Sequence, residues 1–235
     1  MSNRQSTPFV LFLQLLGCLY FLSIPSLSLG GILEASEIKQ QLSNASSLAF
    51  KKSAVEDLQR LYSARQYQSI WLTAEAKLSS IEAALDFIAN ADAEGLDSQD
   101  YQLQQLRHLR QQLPQSASIA AELELRTTHA VLTLARDLSR GRLAATAADS
   151  DWHISQPTFD TVTFLLEAAK SHTLQHSLQN LSSQNPSYQQ LKQTLARYRQ
   201  HIIEHPTWIH IPATPSIRPS TTDDIIPLIR QRIAQ

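Results

Sequence analysis

Two histidine pairs stand four residues apart, His172 with His176 and His201 with His205. On a helix that spacing puts two imidazoles on one face, where they can share a metal ion. A zinc peptidase carries a Glu directly after the first His; Thr173 and Ile202 stand there instead. His205 also precedes Pro206, where a helix should end. Both pairs therefore read as solvated helix-surface histidines, and neither a metal nor a cofactor is expected. Asp92, Glu94, Asp97 and Asp100 gather around Gly95, but without the twelve-residue spacing and terminal bidentate Glu of a calcium loop. Helix-terminal acid, with Asp97 as an N-cap, explains them better. A glycosidase needs two carboxylates facing each other across a cleft, and nothing in the spacing pairs these acids in that way. Cys18 is the single cysteine, which rules out an intramolecular disulfide.

Binding chemistry has more candidates. Tyr62, Tyr67, Trp71, Tyr101, Trp152, Tyr188, Tyr198 and Trp208 could line a groove for glycan or peptide, although most fall on helical stripes that a core would claim. Trp152, in a loop, and Trp208, after a helix, are the best placed for an exposed face. Arg65, Arg140 and Arg142 could meet carboxylates of a peptide or partner. The plainer role for Arg140 and Arg142 is to stabilise the negative end of a helix.

The element that must position these residues runs from Ala121 to Arg142. Leu123, Thr127, Ala130, Val131, Leu134, Ala135 and Leu138 form one apolar stripe, and Leu125 and Leu132 make a second side apolar. A helix greasy on two sides is surrounded by other helices. Glu122 and Glu124 near its start and Arg136 and Arg140 near its end suit the helix dipole, and Gly141 suits its C-terminal stop.

Around it the pattern predicts an irregular all-α bundle of about seven helices with this one buried at the centre. Residues 1–30 hold a sixteen-residue apolar run, Phe9 to Ile24, then Pro25 and small residues, in the order of a secretory signal. Cleavage after export and retention as an N-terminal membrane anchor stay open. Residues 31–52 read as a polar, Ser-rich spacer, partly helical or disordered, with Ile38, Leu42 and Leu48 as its only apolar points. The domain is placed at 53–212, beginning with Ser53-Ala54-Val55-Glu56 as a capping box, followed by a helix capped by Thr73 and carrying Leu78, Ile81, Leu85 and Ile88. Asp97 opens the next, and Pro157 precedes one holding Val162 and Leu165. Leu174, Leu178 and Leu181 form a short helix. Asn185-Pro186 starts a longer one, with Tyr188, Leu191, Leu195, Tyr198 and Ile202 down one face. Residues 213–223 are a linker, and 224–235 a short helix with Ile225, Ile229 and Ile233 on one side, marginal unless it packs on something.

The chain has 235 residues and a net charge of -1, so bulk charge does not mark it for nucleic acid. Its five glycines and plentiful Leu, Ala and Gln favour helices.

Several of these segments, in order, resemble one family. They are Leu58, Leu61-Tyr62, Arg65, Tyr67 and Ile70-Trp71; Ala91-Asp92-Ala93-Glu94-Gly95-Leu96-Asp97 with Tyr101; and Glu124-Leu125 with Thr127. Asp137-Leu138 and Gly141-Arg142 follow, then Asn185-Pro186 with Tyr188, Leu191, Leu195 and Tyr198, and finally Trp208, Ile211 and Pro212. Together they resemble the N-terminal helical scaffold domain of the large periplasmic murein L,D-transpeptidases. Ile225-Ile226-Pro227-Leu228-Ile229-Arg230 resembles the opening of the peptidoglycan-binding-like module that follows in that family. The resemblance implies a periplasmic protein concerned with peptidoglycan, whose partner is peptidoglycan or a separately encoded transpeptidase catalytic domain. The family's chemistry uses a cysteine thiolate with a histidine in a separate downstream domain. Here no Ser-His-Gly-Cys-type motif occurs and the one sulfur nucleophile lies in the leader, so no catalytic residue carries over and this chain alone is expected not to be an enzyme. A natural non-catalytic holder and the N-terminal remnant of a split transpeptidase both fit. A general periplasmic helical adaptor or chaperone-like protein unrelated to the wall is the competing reading.

Overall fold

The computed structural model describes residues 33–44, 48–73, 78–113, 115–142, 158–171, 173–207, 209–213, 216–219 and 222–234. Among these the only regular secondary structure is helical. The α-helices are α1 (Ala35–Ser43), α2 (Lys52–Ala64), α3 (Ser79–Ala89), α4 (Leu103–Gln111), α5 (Ala117–Arg140), α6 (Thr161–Lys170), α7 (Leu174–Gln179), α8 (Pro186–Glu204) and α9 (Ile225–Ile233). Two 3-10 turns, Asn90–Glu94 and Ser98–Tyr101, lie between α3 and α4. None of the described helices is long and apolar enough to cross a membrane. The proposed leader 1–30, Trp152 and Trp208 lie outside the described residues.

The central helix is α5, and it starts earlier than the stripe alone suggests. Ser116 takes the N-cap, its hydroxyl accepting from the Ile119 amide at 3.1 Å, and Gly141 ends the helix at φ +79°. Twenty-four residues at 1.5 Å each give a rod about 36 Å long. Both apolar sides are used: Leu123, Leu125, Val131, Leu132 and Leu134 are all buried. α1, α2, α3, α4 and α6 pack around it. They contribute Leu58, Leu61, Ile81, Ile88, Leu106 and Leu165, each of them fully buried. Such side chains stabilise the fold by about 1.5–3 kcal/mol apiece before entropy is counted.

Three details differ from the sequence reading. The polar spacer contains a packed helix: Ile38 and Leu42, one turn apart on α1, are buried against α5, and Leu48 joins the same core. Three apolar residues in a hydrophilic stretch were enough because the flank of α5 supplies the other half of the contact. The capping box at Ser53 does not form. α2 begins at Lys52 after extended Lys51, without a side-chain cap. Phe50 packs at a tilt on His129 of α5, ring centroids 4.8 Å apart, and lies under the Arg126 guanidinium, which fixes where the chain enters. Thr73 does not cap α3, whose N-terminal neighbour is Leu78. Asp97 does act as an N-cap, accepting from the Gln99 amide at 2.9 Å, though of a 3-10 turn rather than of α4.

Candidate functional site

The most elaborate polar constellation lies inside the core. Glu124 and Thr128 are one turn apart on α5 and are both fully buried. After α2 the chain passes through Gln66 and Tyr67, both at positive φ (54° and 60°), and turns residues 69–72 back toward that spot. Left-handed backbone costs a non-glycine residue about 1–2 kcal/mol, so the contacts that hold the turn must offset it. They converge on one carboxylate. Glu124 Oε1 accepts from the Ile70 amide at 2.6 Å and the Tyr62 hydroxyl at 2.9 Å. Oε2 accepts from the Ser69 hydroxyl at 2.7 Å and from the amides of Trp71 and Leu72 at 3.2 and 3.3 Å. The Trp71 indole donates to Thr128 Oγ1 at 2.8 Å, and Arg65 braces the turn through the Ser69 carbonyl at 2.9 Å. Burial pushes the Glu124 carboxyl above its ordinary range, and the donors from Ile70, Ser69, Tyr62 and Trp71 pull against that push. The Tyr62 hydroxyl is likewise pushed well up, by burial first and the adjacent carboxylate second. With no exposed surface on Glu124, this knot is built to hold chain, not substrate.

A second carboxylate sits at the periphery. Glu94 ends the 3-10 turn that follows α3 and is only partly buried. It accepts from the Tyr188 hydroxyl at 2.6 Å and the Ser182 hydroxyl at 2.7 Å, and it is ion-paired with the Lys192 ammonium. Burial alone would raise its carboxyl; the bonds from Lys192, Tyr188 and Ser182 outweigh that and hold it below the ordinary carboxylate range. Tyr188 is pushed up to about 12 by burial and by Glu94. Arg199 donates to the Asp92 carbonyl one helical stretch further on. Between these bonds the chain is close. A methyl group placed on Gly95, which has φ +79°, would meet Leu195 at 3.7 Å. Gly95 thus serves both the left-handed turn and the approach of α8. Clefts of about 420 and 520 Å³ flank this latch, the first lined by Phe87, Leu138 and Gln175, the second by Ala93, Gln193 and Ala196.

What the latch holds is α8, nineteen residues started by Asn185 and Pro186 as anticipated, the Asn185 side chain accepting from the Ser187 amide at 2.9 Å. Not one of its residues is buried. Of the stripe read from sequence, Tyr188 and Leu195 are half-buried against the turn that carries Glu94 and Gly95, and the rest stays open. Leu191 is 70% exposed, Tyr198 66% and Ile202 52%, and Ile203 beside them is 71% exposed. A lone exposed leucine is ordinary, but a run along one helix marks a contact surface.

Of the residues singled out for a binding face, the two that are described, Arg140 and Arg142, do not lie on α8. Arg140 Nη2 donates to the Phe159 carbonyl at 2.7 Å, and Arg142 pairs with Asp100 at 2.6 Å beside Asp137, so both brace loops around the end of α5. Tyr62, Trp71 and Tyr101 are core, as their spacing implied, while among the described residues Tyr198 is the large aromatic that faces outward. At the C-terminal end of α8, His201, Glu204 and His205 offer ligand atoms within 4.8 Å of one another. The sequence reading looked for a Glu after the first His and so passed over the Glu that precedes the second.

Among the described residues the domain is a bundle of helices with a carboxylate knot inside and a partly apolar helix held against its outside. The family model described as "Scaffold domain" matches residues 56–195, more than half of the chain, and the chain belongs to that family. No curated protein and no solved structure matches it.

Proposed function

We propose that this protein is an exported, non-catalytic scaffold domain of the L,D-transpeptidase group, and that it serves peptidoglycan cross-linking by seating a separately encoded catalytic domain on α8. The observation that carries this reading is the uncovered face of Leu191, Tyr198 and Ile202 on a helix fixed in place by polar bonds. Further support comes from the order of motifs between Leu58 and Tyr198, which resembles that group, and from the apolar run at Phe9–Ile24, which has the form of an export signal. The acids are poorly suited to chemistry of their own. Glu124 has no solvent access, and Glu94 is a saturated acceptor with a lowered pKa rather than a proton donor near neutrality.

The test is retention of a purified transpeptidase catalytic domain, and separately of isolated sacculi, on the immobilised chain. Wild type should retain the catalytic domain. Tyr198→Ser should weaken it by about 30-fold or more, the effect of removing a central aromatic anchor, while folding stability changes by no more than about 0.5 kcal/mol. Retention of neither, or equal retention by the variant, overturns the proposal. Binding to sacculi alone would leave a wall protein but remove the docking role.

A further inference from the structure

The C-terminal turn of α8 carries a different chemistry from its apolar face. His201 and His205 lie one turn apart with ring centroids 4.4 Å from each other, and Glu204 stands beside them. The three ligand atoms fall within 4.8 Å of one another. Zinc at about 2.0–2.1 Å from each donor would draw such atoms to roughly 3.3 Å apart, a change that side-chain rotation alone can supply. Glu204 is already oriented: its Oε1 accepts from the Gln200 side-chain Nε2 at 2.9 Å, which leaves Oε2 for a metal. Arg199, the nearest upstream cation in the sequence, is engaged by the Asp92 carbonyl, and Arg197 donates to Thr194 Oγ1 at 3.1 Å. The helix stops here, the His205 amide bonding the His201 carbonyl at 2.9 Å before Pro206. The unpaired carbonyls of a helix end favour a cation.

We propose that His201, Glu204 and His205 form a site for a divalent transition-metal ion of the zinc type, with two imidazoles, one carboxylate and the remaining position left to water. Two nitrogens and one oxygen suit zinc, nickel or cobalt rather than magnesium or calcium, which take oxygen donors. A metal here ties the last turn of α8 together, next to the surface proposed for docking, and its binding does not depend on that docking.

Zinc titration of the purified full-length chain by calorimetry is the direct test, with visible absorption of the cobalt complex as the coordination readout. One ion per chain should bind, and excess magnesium should not compete. His205→Ala should weaken zinc at least about tenfold, Glu204→Gln should also weaken it, and His108→Ala on α4 should have no effect. Circular dichroism of each variant checks that the helices persist. No saturable binding, or unchanged affinity in H205A with its helices intact, overturns the site.

Discussion

Two glutamates hold two parts of this molecule, and they do so in opposite ways. Glu124 takes three backbone amides and two hydroxyls in a dry interior and so fixes the path of residues 69–72. Glu94 takes an ammonium and two hydroxyls at the surface and so fixes where a whole helix lies. The first replaces every bond the unfolded chain would make to water, and its loss strands donors inside. The second keeps some contact with solvent, so water can take over part of its bonding. An acceptor buried among amides belongs to the cooperative fold; the same group at the rim makes a joint that can open by itself.

The largest effect should come from breaking the inner knot. Glu124→Ala leaves the Ile70 and Trp71 amides and the Ser69 hydroxyl without their acceptor in the core. A loss of at least about 3 kcal/mol is expected in chemical denaturation, with a single transition that moves as a whole. A variant that unfolds at the wild-type midpoint would remove the distinction. Glu94→Gln should be milder and local. Global stability should fall by about 1 kcal/mol or less, while amide exchange accelerates along residues 186–204 and not along α5. Uniform acceleration in both helices would show that α8 is part of the cooperative unit.

The two sites should also respond oppositely to pH. Glu94 is held below the ordinary carboxylate range, so its contribution is fully present above pH about 4.3 and is lost as pH falls through its own lower value. Glu124 is held above that range. In the window between the ordinary and the raised value the folded chain keeps a proton that the unfolded chain releases, so its contribution shrinks as pH rises. Protection of α8 should therefore weaken on acidification below about pH 4 in wild type but not in Glu94→Gln, as amide exchange or limited proteolysis would show. The smallest effect is expected at the turn feeding the knot. Gln66 is exposed at φ 54°, and Gln66→Gly should raise the denaturation midpoint by about 0.5 kcal/mol, the relief of left-handed strain less the entropy glycine loses on folding.

The same contrast explains what could be read from the chain alone. The stripe of α5 reports burial directly, since residues such as Leu123, Val131 and Leu134 recur because the surroundings are apolar. α8 shows an equally clean stripe, yet periodicity says only that a helix has two faces, not that a partner within the chain covers one. Glu124 reads as dipole compensation near a helix start. Its role was hidden because most of its donors are main-chain amides, which carry no sequence signal. The available hint was position: a charge between Leu123 and Leu125 on a helix apolar on two sides. α1 stays undecided in the sequence for a related reason, since Ile38 and Leu42 become meaningful only against a surface made eighty residues later.

That last contact bears on how the chain can be cut. The stretch shared with its family starts at Glu56, whereas Ile38 and Leu42 reach α5 from well upstream. Expressing the shared stretch by itself would bare an oily strip along the central rod and invite clumping, and a boundary at or before Leu33 would keep that strip covered.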